Sequence, residues 1–325
     1  MPSPKVQHYV PQFLLRNFGN GKKDQIWVFD KTTGRSFSTN AKNIASESRF
    51  YDFEYAGARI SLEPYLSKVE SRAKVVLGHI LRVDSSANLD ETDRSTVATF
   101  LSIQLTRSRT FREQWRECPR MLREAFDARG DKVADGSQAA DPIRDLSEND
   151  VKAETGRFMV EAPGAFAPHF LSKDWVLAAT TRKDPFVISD NPLGLQNLID
   201  RPHRGNLGLT VPGIEIYLPI SPVRALAIWC RSLTGAVLQA AAEHRQRATQ
   251  RGGAEHNPAG VVELEAALST GRPLTYSKEN VENFNSLQVA GSERYVFSFV
   301  NEFDLARDMV AAHPSLRAGP RVQAH

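Results

Sequence analysis

The fold class is decided by the stretch IEIYLPISPVRALAIW, residues 214–229. It contains two apolar runs, residues 214–218 and 224–229, separated by a short segment with two prolines. Short runs of this kind, bounded by breakers and rich in β-branched and aromatic residues, are typical of buried strands. Residues 175–179 and 185–188 have the same character. We predict that these four runs are strands of one sheet.

The segment before these strands carries a hairpin pattern and two helical patterns. Residues 25–30 and 35–39 are β-prone runs around a turn that contains glycine, which predicts a hairpin. Apolar residues recur at helical spacing over residues 61–83. A second helix is predicted to begin at Asp90 or Thr92 and to continue to about residue 115. Two helices therefore follow the hairpin.

The C-terminal part of the chain returns to helical patterns. Helices are predicted at residues 235–249, 260–269 and 279–291, and a final strand at 295–300. This order predicts an α+β fold, with an N-terminal hairpin and helices followed by a mixed or antiparallel sheet with flanking helices. We expect a single α+β domain over residues 1–315, with a subdivision near residues 130–146 and a flexible tail at 316–325.

The composition is that of an ordinary globular protein. The chain has 325 residues, of which 41% are hydrophobic and 24% are charged, which excludes disordered, collagen-like and coiled-coil classes. The 41 Lys and Arg exceed the 38 Asp and Glu by only three charges. Any electrostatic argument for a nucleic-acid partner must therefore rest on a local cluster.

The spacing of the cysteines and the lack of long apolar segments predict a cytoplasmic protein without a membrane partner. Cys118 and Cys230 match no metal-ligand or redox spacing, and a disulfide framework is not indicated. The N-terminus has no continuous apolar segment, and no stretch approaches 18 apolar residues. The sequence gives no indication of a cofactor and none of a particular protein partner.

Two polar side chains are predicted to point towards the core from the second helix. Helical geometry places Gln104 inside the apolar stripe, and Arg107 lies three residues later at its edge. Unpaired buried polar groups are costly, so both side chains need partners from elsewhere in the fold. One interpretation is a structural network that binds loop carbonyls and a carboxylate. The other is substrate binding, with Arg107 clamping a phosphate or carboxylate.

A polar tetrapeptide, Ser-Asp-Asn-Pro at residues 189–192, follows an apolar run directly. Polar groups at the carboxyl end of a strand often face ligands, which makes Asp190 a candidate catalytic residue, as a general base, a metal ligand or the orienter of a histidine, and Asn191 a candidate substrate-binding residue. The same four residues also have good turn chemistry, because short side-chain acceptors cap backbone amides and proline fixes the next dihedral. Both interpretations stay open.

His8 and Asn285 complete the set of candidates. His8 titrates near neutrality and is a candidate catalytic acid or base, although a structural histidine is the alternative. Asn285 lies on a predicted helix and has two functions open to it, binding a backbone carbonyl or binding substrate. No metal site is predicted, because the other histidines lack helical metal-site spacing and residues 215–217 lack the lysine of a metallonuclease carboxylate motif.

An arginine series follows the second helix. Arg109, Arg112 and Arg116 recur at steps of three and four, and Arg120 and Arg123 continue the series. The three leading arginines are candidate nucleic-acid contacts, and a solvated basic face is the alternative interpretation. A proline at position 119 is expected to end one helix and to begin the next.

Several short segments together resemble a microbial family catalogued as domain of unknown function 4238. The resemblance rests on His8 to Phe18 (HYVPQFLLRNF), Phe50-Tyr51, Gln104 with Arg107, residues 189–192 (SDNP), residues 218–222 (LPISP), and Asn285 ahead of residues 295–297 (YVF). The segments span nearly the whole chain, and their combined order is more specific than any one of them. The resemblance implies no established reaction, cofactor or partner.

Two functions compete on this evidence. The leading expectation is a hydrolase that acts on a phosphate-bearing substrate, either a nucleotide or nucleic acid, with His8 and Asp190 as catalytic groups. Gln104, Arg107, Asn191 and Asn285 would then bind the substrate. The alternative is a non-catalytic binding or regulatory module with a basic helix face. A pocket walled by His8, Arg107 and Asp190 favours chemistry, and a sealed network favours the alternative.

Overall fold

A computed structural model provides the structure of this protein, and it describes residues 4–21, 23–130, 141–199, 206–250 and 259–321. Nine α-helices lie within these residues: α1 Gln12–Asn17, α2 Glu63–Val83, α3 Glu91–Thr106, α4 Arg109–Arg129, α5 Glu148–Leu171, α6 Arg231–Gln250, α7 Ala259–Thr270, α8 Lys278–Gly291 and α9 Asp304–Ala312. The strands of the same residues are β1 Val6–His8, β2 Gln25–Asp30, β3 Arg35–Asn40, β4 Ser46–Ser48, β5 Asp52–Tyr55, β6 Ala58–Ser61, β7 Asp174–Ala179, β8 Ile188–Ser189, β9 Gly194–Gln196, β10 Glu215–Ser221, β11 Arg224–Trp229, β12 Leu274–Thr275 and β13 Tyr295–Ser298. Separate sheets alternating with helices confirm the predicted α+β class.

The strands form two larger sheets and two short pairs. A five-stranded sheet has the order β12-β7-β11-β10-β9, in which only β12 pairs in parallel. A four-stranded antiparallel sheet has the order β3-β2-β13-β8 and contains the predicted hairpin of β2 and β3. The pairs are β1 with β4 and β5 with β6. The prediction of one sheet was wrong for β8, because its backbone pairs with the distant β13.

The five-stranded sheet is covered on both faces. Leu177 and Ile216 belong to the largest apolar cluster, which also contains side chains of α1, α2, α3 and α5. Val176 and Tyr217 point to the opposite face and pack with side chains of α7 and α8, such as Phe284. A sheet buried on both faces needs apolar residues at successive positions, which explains the continuous apolar runs that identified these strands.

The long helix predicted up to residue 115 is two helices. It begins as expected after Asp90, whose side chain accepts a hydrogen bond from the backbone N–H of Asp93, but α3 ends at Thr106. Ser108 then caps α4 by accepting a hydrogen bond from the N–H of Phe111 at 3.2 Å. The expected break at Pro119 was wrong, because α4 continues through it. A proline inside a helix removes one helical hydrogen bond, and α4 also packs against α5.

Helix α5 was not predicted from the sequence, although α3 and α5 form the most extensive helix pair in the described residues. Two internal prolines, Pro163 and Pro168, hide it from a helix search, while Ser147 and Asp150 form the capping box that begins it. No helix of the described residues is both long and apolar enough to cross a membrane.

The end of the chain is bound to the domain as far as it is described. Arg321, in the tail expected to be flexible, pairs with Glu117 and Glu293 at 3.0 and 2.7 Å. Residues 322–325 lie outside the described residues, as do residues 131–140, on which most of the predicted subdivision falls.

Candidate functional site

Arg107 is the centre of a buried polar cluster at the junction of α3 and α4. Its side chain is 2% exposed. The guanidinium donates to Tyr51 Oη at 3.0 Å and to the carbonyl oxygen of His8 at 2.7 Å. The third edge of the guanidinium, at Nη1, forms an ion pair with Glu70 Oε1 at 2.7 Å. Burial lowers the pKa of Arg107, but the hydrogen bonds of Tyr51 and Glu70 and the charge of Glu70 outweigh it, so the net shift is upward and the group stays charged.

His8 meets this cluster through its main chain, because its carbonyl is the acceptor for Arg107. The imidazole points elsewhere: Nε2 lies 3.0 Å from the carbonyl of Lys42, and Nδ1 lies 3.1 Å from the amide nitrogen of Gln12. A carbonyl only accepts, so Nε2 carries the proton and Nδ1 accepts from Gln12. Burial lowers the pKa of His8, which favours this neutral form.

Gln104 lies in the apolar stripe of α3, as predicted, and is fully buried. Its amide nitrogen donates to the carbonyl of Tyr9 at 3.4 Å. Its Oε1 has no hydrogen-bond partner among the described residues. Gln104 and Arg107 therefore both hold the main chain of the N-terminal segment, at two successive carbonyls.

Asp190 belongs to a second buried cluster, at the start of β13. One carboxylate oxygen accepts from the backbone N–H of Glu293 at 2.7 Å, and the other accepts from the N–H groups of Arg294 and Tyr295, both at 2.8 Å. Burial raises the pKa of Asp190 to about 6, against the lowering effect of these donors and of the Lys31 charge. The carboxylate acts as a cap for the turn between α8 and β13.

Lys31 is the buried cation of this second cluster. It is fully buried, and its ammonium donates to the carbonyls of Val289 and Ser292 at 2.9 and 2.7 Å. Burial lowers the pKa of Lys31 to about 8, while the negative charge of Asp190 opposes that shift. Lys31 and Asp190 thus stabilise the carbonyl and amide groups at the end of α8, and each reduces the electrostatic cost of burying the other.

The asparagines of the predicted site also bind backbone. Asn191 donates to the carbonyl of Gly291 at 3.0 Å. Asn285 accepts from the N–H of Val187 and donates to the carbonyl of Pro185, both at 2.9 Å. Both amides therefore tie the segment around β8 to α8.

Gln288 was missed by the sequence analysis, although it makes more of these contacts than either asparagine. It is fully buried, accepts from the N–H and hydroxyl of Ser189 at 3.0 and 2.9 Å, and donates to the carbonyl of Pro192 at 2.9 Å. Its position three residues after Asn285 was the available signal, because that step shares one helical face.

The three predicted nucleic-acid contacts of α4 are paired with carboxylates. Arg112 is 5% exposed, pairs with Glu47, and lies 3.7 Å from the ring centre of Phe50. It is therefore an internal side chain and not part of a solvated face. Arg109 is 35% exposed, and its Nε lies 3.5 Å from Glu47.

Arg116 is the third of these predicted contacts, and it lies beside the start of α5. It is 36% exposed and pairs with Glu113 at 3.1 Å and with Glu148 at 2.7 Å. Arg109 and Arg116 are thus the exposed members of the three predicted nucleic-acid contacts. The carboxylates beside them neutralise most of the local positive charge that the sequence displayed.

The candidates therefore form two clusters. His8, Gln104 and Arg107 surround the N-terminal segment, whereas Asp190, Asn191 and Asn285 surround the end of α8. Tyr9 lies between them: its carbonyl accepts from Gln104, and its pKa is raised by burial and by the charge of Asp190.

Of four cavities within the described residues, one borders the cluster at the end of α8 and three lie away from both clusters. One of about 150 Å³ is bordered by Asn285, whose amide is already bonded to backbone, and one of about 310 Å³ is bordered by Glu215 and Tyr217. Two more, of about 450 and 430 Å³, lie beside α2 and α3 and beside the start of α5. None of these four is lined by His8, Arg107 or Asp190. Across the described residues, no three His, Cys, Asp or Glu side chains are grouped as a metal site would require.

Comparison with known proteins agrees with the resemblance carried by the short segments. No curated protein and no solved structure matches the chain. The family described as Protein of unknown function (DUF4238) matches residues 6–299, which include both polar clusters and both larger sheets. The chain therefore belongs to the DUF4238 family.

Proposed function

We propose that this protein is a non-catalytic binding or regulatory module. The observation that carries the proposal is the saturation of Arg107 and Asp190 by groups of the protein itself. Arg107 uses all three edges of its guanidinium on Tyr51, His8 and Glu70. Both oxygens of Asp190 accept backbone hydrogen bonds, and the residue is fully buried. Groups that are buried and hydrogen-bonded in this way stabilise loops and are not presented to a substrate.

The same geometry weighs against His8 as a general acid or base. A general base must reach the proton that it abstracts, directly or through one water. Both ring nitrogens of His8 are within hydrogen-bond distance of Lys42 and Gln12. Its contact with Arg107 runs through a carbonyl oxygen, so the imidazole and the guanidinium do not face a common space.

One observation favours the phosphate-directed hydrolase as a second candidate. Asp190 and Lys31 are buried ionisable groups with pKa values of about 6 and about 8, and Tyr9 between the clusters also has a raised pKa. Strongly perturbed pKa values are enriched at active sites, although structural networks produce them too. In this proposal Asp190 would need to leave its three amide donors during turnover.

A hydrolysis assay separates the two candidates. The full chain is incubated with nucleoside triphosphates, RNA and DNA, with Mg²⁺ or with a chelator, and products are followed by chromatography. We expect no turnover above the protein-free rate. Turnover that is lost in His8→Gln but kept in His244→Gln, an exposed control, would replace the binding module with the hydrolase.

The basic helix face belongs to this proposal as a site for a nucleotide or nucleic-acid partner. Arg109 and Arg116 are its exposed cations, and a phosphate would have to displace Glu47, Glu113 or Glu148 from them. Exposed ion pairs contribute little free energy, so this competition permits weak, salt-sensitive binding.

A cytoplasmic location is part of the same proposal. Cys118 and Cys230 are both free thiols. Free thiols are typical of proteins that work in a reducing compartment.

A further inference from the structure

A cavity of about 310 Å³ lies between the five-stranded sheet and helices α7 and α8. Its floor is a row of side chains on three neighbouring strands. Gln196 of β9 is directly opposite Glu215 of β10, and Glu215 is directly opposite Trp229 of β11. Residues in register on adjacent strands point to the same face of a sheet, so these three side chains lie side by side. Tyr217, two residues after Glu215, points to the same face.

Glu215 is the buried charge of this floor. It is 6% exposed. Its Oε2 accepts a hydrogen bond from the hydroxyl of Tyr217 and another from the amide of Gln196 at 3.2 Å. Trp229 donates to the Tyr217 hydroxyl at 3.2 Å, so the chain of donors ends at the carboxylate. The hydrogen bonds that the described residues make to this carboxylate all reach Oε2, which leaves Oε1 without one, and Glu215 borders the cavity.

Aromatic rings form much of the cavity wall. Tyr217, Trp229, Tyr276 and Phe284 all border it, and the rings of Tyr217 and Phe284 meet edge to face at 5.2 Å. Aromatic faces attract cations, most strongly where the site is shielded from water. Glu263 adds a second carboxylate at the wall, and the described lining residues include no lysine or arginine.

We propose that this cavity binds a small organic cation of the alkylammonium class, with the charged nitrogen at Glu215 Oε1 and the alkyl chain against the aromatic rings. An anion is disfavoured by two carboxylates. A neutral ligand without a donor would leave Glu215 Oε1 without a partner, and a neutral donor such as a hydroxyl would form a weaker hydrogen bond with the carboxylate than an ammonium does. The volume lies at the lower end of the range for small-molecule sites, and fits a compact ligand.

This inference rests on the proposed function, because it gives the binding module a ligand class. The proposed function and the cation-binding inference can each be wrong without the other. Turnover in the hydrolysis assay would overturn the non-catalytic module and leave cation binding intact, whereas a lack of cation binding would overturn the inference and leave the module intact.

The test is isothermal titration of the full chain with n-butylammonium, n-butanol and butyrate. We expect saturable binding of n-butylammonium that is competed by tetramethylammonium, and at least tenfold weaker binding of the other two. Glu215→Gln keeps an acceptor oxygen for Tyr217 and Gln196 but removes the charge. It should weaken n-butylammonium binding by about tenfold to a hundredfold, the range for losing a charge-assisted hydrogen bond.

The matched control is Glu282→Gln, an exposed carboxylate on α8 that borders a different cavity. It should bind n-butylammonium as the unmodified protein does. Three results would each overturn the inference. They are equal binding of n-butanol and n-butylammonium, n-butylammonium binding to Glu215→Gln as tight as to the unmodified protein, and no binding of n-butylammonium at 50 mM. If Glu215→Gln does not fold, the comparison of the three probes on the unmodified chain still decides it.

Discussion

Replacing Arg107 with alanine should destabilise the fold by about 3 kcal/mol. Two hydrogen bonds from a charged donor to buried acceptors are lost, one to Tyr51 and one to His8, each worth about 1.5–3 kcal/mol. The pair with Glu70 adds less than about 1 kcal/mol, because the Glu70 side chain is 25% exposed and regains water. Removing a desolvated guanidinium offsets part of the sum.

The assay is urea denaturation followed by circular dichroism, with the free energy of unfolding extrapolated to water. Arg157→Ala is the matched control, since that arginine lies on α5, is 55% exposed and pairs with Glu154. The control should change stability by no more than about 0.5 kcal/mol. A change of less than about 1 kcal/mol for Arg107→Ala would show that the cluster contributes little, and would refute this account of the N-terminal segment.

Three further perturbations test the other clusters. Burial raises the pKa of Asp190 from 3.8 to about 6, so the folded state binds more protons than the unfolded state between these two pH values. The free energy of unfolding should therefore fall by up to about 3 kcal/mol as the pH rises through this interval. Asp190→Asn should abolish that fall. Gln288→Ala leaves the buried N–H of Ser189 without its acceptor and should cost about 2–3 kcal/mol in thermal or urea unfolding. If the α4 face binds single-stranded DNA, replacing Arg109 and Arg116 with Gln should reduce the slope of log affinity against log salt by about 1.4, measured by fluorescence anisotropy.

Each of these has a control on the same part of the molecule. Asp184→Asn, close in sequence but only partly buried, should keep the pH dependence of the unmodified protein. Asn283→Ala, an exposed position on α8, should cost less than about 1 kcal/mol. Arg120 is 56% exposed and pairs with Glu117 and Glu124, so Arg120→Gln tests whether any α4 arginine gives the same salt response. An equal response from Arg120→Gln would remove the special role of the other two arginines.

The sequence by itself determined the fold class and most of the elements. The strands at residues 174–179, 215–221 and 224–229 were recognised because a sheet covered on both faces demands apolar residues in succession. The hairpin of β2 and β3 followed from local turn chemistry. Helix ends were predicted less well: the chain breaks before α4, within the stretch expected to be one helix, and α4 continues through Pro119, where a break was expected.

Only the tertiary structure decided what the polar residues contact. Gln104 was expected to be buried from helical spacing alone, but its partner is the carbonyl of Tyr9, 95 residues away in sequence. Spacing constrains the face on which a side chain lies, and carries no information about the distant segment that meets it. The cavity at Glu215 was hidden for the same reason. Glu215 and Trp229 become neighbours through the pairing of β10 with β11, and Gln196 joins them through the pairing of β9 with β10, a register that the apolar runs alone do not reveal.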